Sequence, residues 1–435
     1  VKRPVLRILL FLLATTSQIV FLHAQEMAQM PASGMQSPEM SMQSSSLIEL
    51  LEQHATSGTD AEPESTPFEM LMEKKAGWNF MFHGEAFLNE IQQSGPRGGD
   101  KLFSTNWCMP MAKRKWGAGT LTLRTMLSLE PATVADRRYP ELFQQGETAF
   151  GLPIVDGQHP HNFFMEIAAL YDYKLSESTM LSFYAAPMGD PAIGPAAYPH
   201  RESASEDPIA PLGHHLQDST HIADDVITAG FTRGMARIEA SGFHGREPDE
   251  HRWEIAAGKI DSWSARVTVN PARDWSVQYS IAHLTSPEAL APSEDVRRMT
   301  ASVMYDQPIR EGNWASMLLW GRNQSLADGN VGNSYLLEST LRFFSTNHVW
   351  TRIENVDRTN ELLVGENPLP ANFVERYFAR VQACTVGYDR DIWRLPHLST
   401  AIGGQFMWYG VPPVLRADYG SHPVGGVLFL RLRGR

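Results

Sequence analysis

From Gly77 onward, apolar and polar residues alternate with a period of two. In "GWNFMFHGEAFLNE", Trp78, Phe80, Phe82, Ala86 and Leu88 alternate with Asn79, Met81, His83, Glu85 and Asn89. "TLTLRTMLSLE" sets Leu121, Leu123, Leu127 and Leu129 against Thr122, Arg124, Ser128 and Glu130. "RYFARVQACTVGY" sets Tyr377, Ala379, Val381 and Ala383 against Arg376, Arg380 and Gln382. Successive strand side chains point to opposite faces, so each stretch reads as a strand with one apolar and one polar face. A soluble sandwich alternates in the same way, so periodicity alone leaves both architectures open.

Connection lengths separate them. The pattern predicts sixteen strands, near 78–90, 101–112, 116–130, 163–174, 179–186, 225–233, 235–244, 263–270, 275–284, 297–306, 314–323, 333–344, 349–357, 375–388, 398–410 and 423–433. Links after even-numbered strands are mostly tight, such as "KRK", "SES" and "PARD". Those after odd-numbered strands are mostly long, including 131–162, 187–224, 245–262 and 358–374. Long loops on one rim and short turns on the other define a transmembrane antiparallel β-barrel of about sixteen strands, with fourteen or eighteen as alternatives. In that all-β fold the long loops are extracellular and the short turns periplasmic. Trp78, Trp116, Trp263, Trp275, Trp314, Trp350 and Trp408 fall near strand ends, where an aromatic girdle belongs.

A barrel also gives the charges a place. Arg124, Glu130, Glu166, Arg237, Glu239, Glu338, Arg342, Arg352, Glu354, Arg376 and Arg380 are assigned to the lumen, because an Arg facing mid-membrane hydrocarbon costs roughly 2–4 kcal/mol. The run Arg342, Arg352, Arg376 and Arg380 is the candidate for an anion bias.

The start of the chain is different material. Lys2 and Arg3 precede an acid-free apolar run, Val5 to Leu22, and "FLHAQE" offers a cleavage site after Ala24, so 1–24 reads as a secretory signal peptide. Residues 25–76 read as a flexible periplasmic tail, with a short helix possible at Ser46 to His54 and the barrel following over 77–435. No later window holds the ~20 continuous apolar residues of a membrane helix. Two cysteines, Cys108 and Cys384, are too few for a disulfide scaffold and are assigned to the lumen as free thiols, packing residues or else soft metal ligands with Met109 or Met111. A net charge of −12 argues against a nucleic-acid partner.

Two residue sets could bind metal. Met27, Met30, Met35, Met40 and Met42 place five thioethers in sixteen residues of the tail, and thioethers select Cu(I). The alternative is a disordered spacer of biased composition. The second set lies in "PLGHHLQDSTHIADD" (211–225). If 213–222 form a helical turn, His214, Asp218 and His221 share one face, with His215 beside them and His159 or His161 from the neighbouring long loop as a further ligand. Imidazole with carboxylate suits Zn or Cu(II), while the alternative is histidines that fix loop backbone in a polar constriction. The charged loop "GREPDEHRW" has no accompanying nucleophile motif, and neither G-x-S-x-G, P-loop nor H-E-x-x-H occurs, so the chain reads as a non-enzyme.

Between Asn106 and Arg322, "GAGTLTLRTMLSLEP", "GQHPHNFFMEIAALY", "PLGHHLQDSTHI", "GREPDEHRW" and "SPEALAPSEDVRR" resemble a largely uncharacterised family of bacterial outer-membrane barrel proteins. The resemblance covers about half the chain. It implies a Met/His-rich leader after the signal peptide and a setting of heavy-metal, particularly copper, resistance. This chain departs from the pattern in having a leader with Met but almost no His. The expected function is therefore an outer-membrane channel or binding protein for a small solute or metal ion, with outer-membrane lipid as its surroundings and Cu or Zn as the candidate ions. The alternatives are a general or anion-biased porin and a structural or adhesive surface protein.

Overall fold

The computed structural model describes residues 44–218 and 223–434. The signal-peptide expectation, the tail methionines Met27, Met30, Met35, Met40 and Met42, and His221 lie outside them.

Sixteen strands build the wall: β1 (Trp78–Gln93), β2 (Asp100–Trp116), β3 (Gly119–Leu127), β4 (Phe164–Ser176), β5 (Thr179–Met188), β6 (Ala223–Arg233), β7 (Ala236–Gly245) and β8 (Ser262–Ala272). The second half comprises β9 (Trp275–Leu284), β10 (Val296–Ile309), β11 (Gly312–Ser325), β12 (Val331–Phe343), β13 (Asn347–Thr359), β14 (Tyr377–Leu395), β15 (Leu398–Gly410) and β16 (Val424–Gly434). Sequential strands pair antiparallel, and β16 returns to β1 with Gly434 opposite Gly84 and Gly425 opposite Gln93. Closure leaves the wall without a free edge. A further short strand, Leu71–Lys75, pairs with β1 over Trp78 to Phe82, beyond the point where β16 ends.

One rim carries tight turns, with Gly117 and Gly234 at φ of 60° and 58°, a left-handed conformation that glycine adopts without a Cβ clash. The opposite rim carries the long connections 128–163, 189–222, 246–261, 360–376 and 411–423. The outer face is apolar: Leu123, Phe183, Ile238, Leu318, Ile353 and Leu428 are exposed there. Such a band around a closed sheet is the architecture of an outer-membrane barrel. Trp116, Trp263, Trp275, Trp314 and Trp408 are exposed on the outside as the girdle requires. Trp350 is not. It is 3 % exposed and turns inward, its Nε1–H donating to Gln405 Oε1 at 3.1 Å.

Segments of the chain itself enter the lumen and pack against the wall. Residues 44–66 enter it and form a helix α1 (Leu47–Gln53), whose N-cap Ser46 accepts from the Glu49 amide. Leu47, Ile48, Leu50 and Leu51 are buried in a cluster with Met180. Over residues 44–66 this differs from the flexible tail expected for 25–76. The segment is poor in apolar residues, but the wall holds its backbone. Arg124 donates to the carbonyls of His54 (3.1 Å), Thr56 (2.6 Å) and Gly58 while pairing with Glu166 at 2.6 Å. Arg266 pairs with Glu239 at 2.9 Å and also binds Asp60 and the Thr59 hydroxyl.

The 189–218 connection fills much of the remainder. Its Arg201 pairs with Glu338 on β12 at 2.8 Å, and Arg352 on β13 pairs with Asp207 at 2.9 Å and donates to the Ile209 carbonyl at 2.7 Å. Arg298 and Arg358 hold the carbonyls of Asp218 (3.1 Å) and Leu212. A guanidinium has five donors in a fixed fork, so one arginine can bind a wall carboxylate and a carbonyl of the filling segment together.

Filling the lumen changes which residues an inward position accepts. Arg124, Glu166, Arg237, Glu239, Glu338, Arg352 and Glu354 face inward as expected, and Glu130 is buried in the adjoining loop. On β14, however, Ala379, Val381 and Ala383 are buried, while Arg380 is 47 % exposed on the outside, paired with Asp357 at 2.7 Å near the long-loop rim. Arg376 precedes the strand and is exposed, 3.3 Å from Asp328. Arg342 is half-buried against Glu69 at 3.0 Å. The four arginines therefore form no common lumenal row. Cys108 and Cys384 also face outward, against the lumenal assignment: Cys108 opposes Leu127, and Cys384 opposes Ile353 and Trp408. Both thiols are free.

Candidate metal site in the lumen

Pro211 and Gly213 bring the 189–218 connection into a single helical turn, α2 (His214–Gln217). The turn packs directly on β11 because Gly321 leaves room there: a Cβ at that position would sit 2.1 Å from the Leu216 carbonyl oxygen. Gln217 Nε2 donates to Ser334 Oγ on β12 at 2.6 Å and fixes its far end. His214 and His215 are thereby directed toward the other long loop, which contributes His159.

The three imidazoles each offer one nitrogen, and these atoms all lie within 4.8 Å of one another. All three side chains are buried. Carboxylates and amides orient them. His159 Nε2 lies 2.6 Å from Glu147 Oε1, and Arg252 holds the other oxygen of Glu147 at 2.8 Å. Gln158 Oε1 is 3.0 Å from His214 Nε2 and accepts from Gln144 at 2.8 Å. Glu247 Oε1 is 3.6 Å from His215 Nδ1. Burial pushes the His215 pKa down to about 4, so its ring is neutral at pH 7. Burial pushes Glu247 in the opposite direction, well above the ordinary carboxylate range, with Glu147 adding to the effect. Three imidazoles beside the Glu147 carboxylate suit a borderline divalent ion such as Zn or Cu(II).

Among the described residues, Asp218 and His161, also assigned to this site by sequence, have other partners. Asp218 lies 3.4 Å from Arg201. His161 Nδ1 lies 2.9 Å from Glu130 Oε2; burial lowers its pKa most strongly, but the Glu130 charge, the hydrogen bond to Glu130 and the Glu147 charge together leave it raised. The one-face spacing of His214 with Asp218 does not arise because the helix ends at Gln217 and Asp218 is extended. Sequence reasoning named Met109 and Met111 only as soft-ligand companions of Cys108 and did not assemble the set they form in the wall: Met81, Met109, Met111 and Met126, with His83, His200 and Trp107 beside them. The alternation of Met109 and Met111 signals one face, but only strand register joins them to Met81 and His83.

No protein-family model and no curated protein matches the chain. Solved structures similar to it include an anion-selective porin from Comamonas acidovorans, 10 % identical with a TM-score of 0.47 over 82 % of this chain and 99 % of that one. The outer-membrane channel DcaP of Acinetobacter baumannii is 9 % identical with a TM-score of 0.49, over 83 % and 99 % of the two chains. Pseudomonas putida OprB is 7 % identical with a TM-score of 0.48, over 82 % and 94 %.

Proposed function

We propose that this chain is an outer-membrane channel or carrier for a small solute, and that the solute is a divalent transition-metal ion received from the long-loop, extracellular side. The observation that carries this reading is the convergence of His159, His214 and His215 inside the lumen. A general porin needs an aqueous path, and the paired arginines and packed segments argue against one. An anion bias loses its basis because Arg342, Arg352, Arg376 and Arg380 are each engaged by a carboxylate.

The test combines Zn(II) titration in detergent with planar-bilayer conductance of the full chain. One Zn(II) bound per barrel at neutral pH is expected, and it should be lost when His159, His214 and His215 are replaced by Ala while heat-modifiable gel migration persists. Equal Zn(II) binding by parent and triple variant overturns the metal reading. Steady, large, metal-independent conductance steps would replace it with a general porin.

A further inference from the structure

A second set of ligands lines the lumen beside the first, and the two share a small cavity that both His200 and His214 border. The register of β1 and β2 sets Met81 opposite Met111 and His83 opposite Met109. Met81, Met109, Met111 and Met126 form one buried cluster, with Met70, Met165 and Trp107 packed against it. His200, in the 189–218 connection, reaches this cluster: its Nε2 is 3.2 Å from Met126 Sδ. The His200 ring lies 4.5 Å from the Trp107 ring and 6.1 Å from that of His83, centroid to centroid. His83 Nε2 is buried without a hydrogen-bond partner among the described residues.

Methionine is an adaptable packing residue, so four buried methionines alone would read as core filling. The two imidazoles go beyond that. A packed core satisfies its buried nitrogens, whereas here one lacks a partner and the other abuts a thioether, a weak acceptor. Space adjoins them as well. His200 lines a cavity of about 100 Å³ together with His83 and Trp107, which Glu62, Glu69, Glu85 and Glu202 also border. It also lines one of about 30 Å³ together with Met126, Met165, His161 and His214.

Thioethers and neutral imidazoles bring no negative charge, and sulfur is soft, so this donor set favours a soft monovalent ion over a hard or divalent one. The Trp107 ring adds an electron-rich face. We propose that Met126, His200 and His83, backed by Met109 and Met111, form a binding site for a soft monovalent cation of the Cu(I) or Ag(I) class. The site rests on its own residues and stands whether or not the three-histidine cluster binds Zn(II).

The experiment is Ag(I) titration of the detergent-solubilised full chain against a Met126→Leu/His200→Phe variant, with Zn(II) titration of both. The tail methionines are present in both proteins, so any difference reports the lumen. The variant should lose one Ag(I) equivalent or bind it about tenfold or more weakly, with Zn(II) binding unchanged. Unaltered Ag(I) stoichiometry and affinity would overturn the site. If the double variant loses heat-modifiable migration, Met109→Leu provides a volume-conserving substitute, again expected to weaken Ag(I) binding. X-ray absorption of the Ag(I)-loaded parent should show sulfur and nitrogen neighbours, and a sulfur-only shell would exclude His200 and His83 as ligands. A parent that binds no Zn(II) while the Ag(I) difference between parent and variant persists would count against the three-histidine reading alone.

Discussion

Arg124 on β3 and Glu166 on β4 form a fully buried pair, 2.6 Å from Nε to Oε2, and the same guanidinium holds three carbonyls of the segment that enters the lumen. The Glu166 carboxylate in turn accepts from the Gly58 amide at 3.0 Å and the Tyr184 hydroxyl at 2.7 Å. Wall and filling segment therefore share one hydrogen-bonded network.

Replacing Arg124 with Ala leaves Glu166 buried without its cation, a loss of about 3–5 kcal/mol for a buried pair broken on one side. The cost should fall on the 44–66 segment, since the strand ladder survives. Limited proteolysis of Arg124→Ala is expected to cut within 44–66 much faster than in the parent, with gel migration of the barrel retained. Equal cleavage rates would show that the segment is held by other contacts.

Glu62 makes the seating of that segment depend on pH. Burial raises its pKa well above the usual 4.5, and the Glu202 charge raises it further. A carboxyl with a raised folded-state pKa binds more protons folded than unfolded, so stability falls as pH rises from 4.5 through the folded value. The segment should be most protease-resistant at mildly acidic pH and loosen toward alkaline pH. Glu62→Gln should flatten this dependence and increase resistance at neutral and alkaline pH. A pH profile identical to the parent's would remove Glu62 from the account.

Gly321 is the position where the wall admits α2. A Val there places a Cβ against the Leu216 carbonyl oxygen, so Gly321→Val should displace His214 and His215 without altering any ligand. Zn(II) binding is expected to weaken by about tenfold or more, the scale of losing a supporting contact. Ala at Gly329, which lies at a link with open space around it but a φ of 78°, should leave Zn(II) binding unchanged and cost only local backbone strain.

Much of this protein is legible in its sequence. The period-two alternation and the long–short rhythm of its links point to about sixteen strands in a closed antiparallel wall and set the direction of most side chains, because a pleated strand has only two faces and lipid tolerates one of them. Arg124, Glu166, Glu239 and Glu338 follow directly from that constraint. His159, His214 and His215 could be nominated from composition, but not with the partners that the loops give them. The tertiary structure decided what fills the lumen, and with it the inward turn of Trp350, the inward Ala379, Val381 and Ala383, and the outward Arg380, Cys108 and Cys384. A lumen of water demands polar walls, whereas a lumen of protein accepts apolar ones. It also decided register, and register alone sets His83 opposite Met109 and Met81 opposite Met111. Residues on different strands become neighbours only through hydrogen bonds between backbones, which a linear pattern of side chains does not encode.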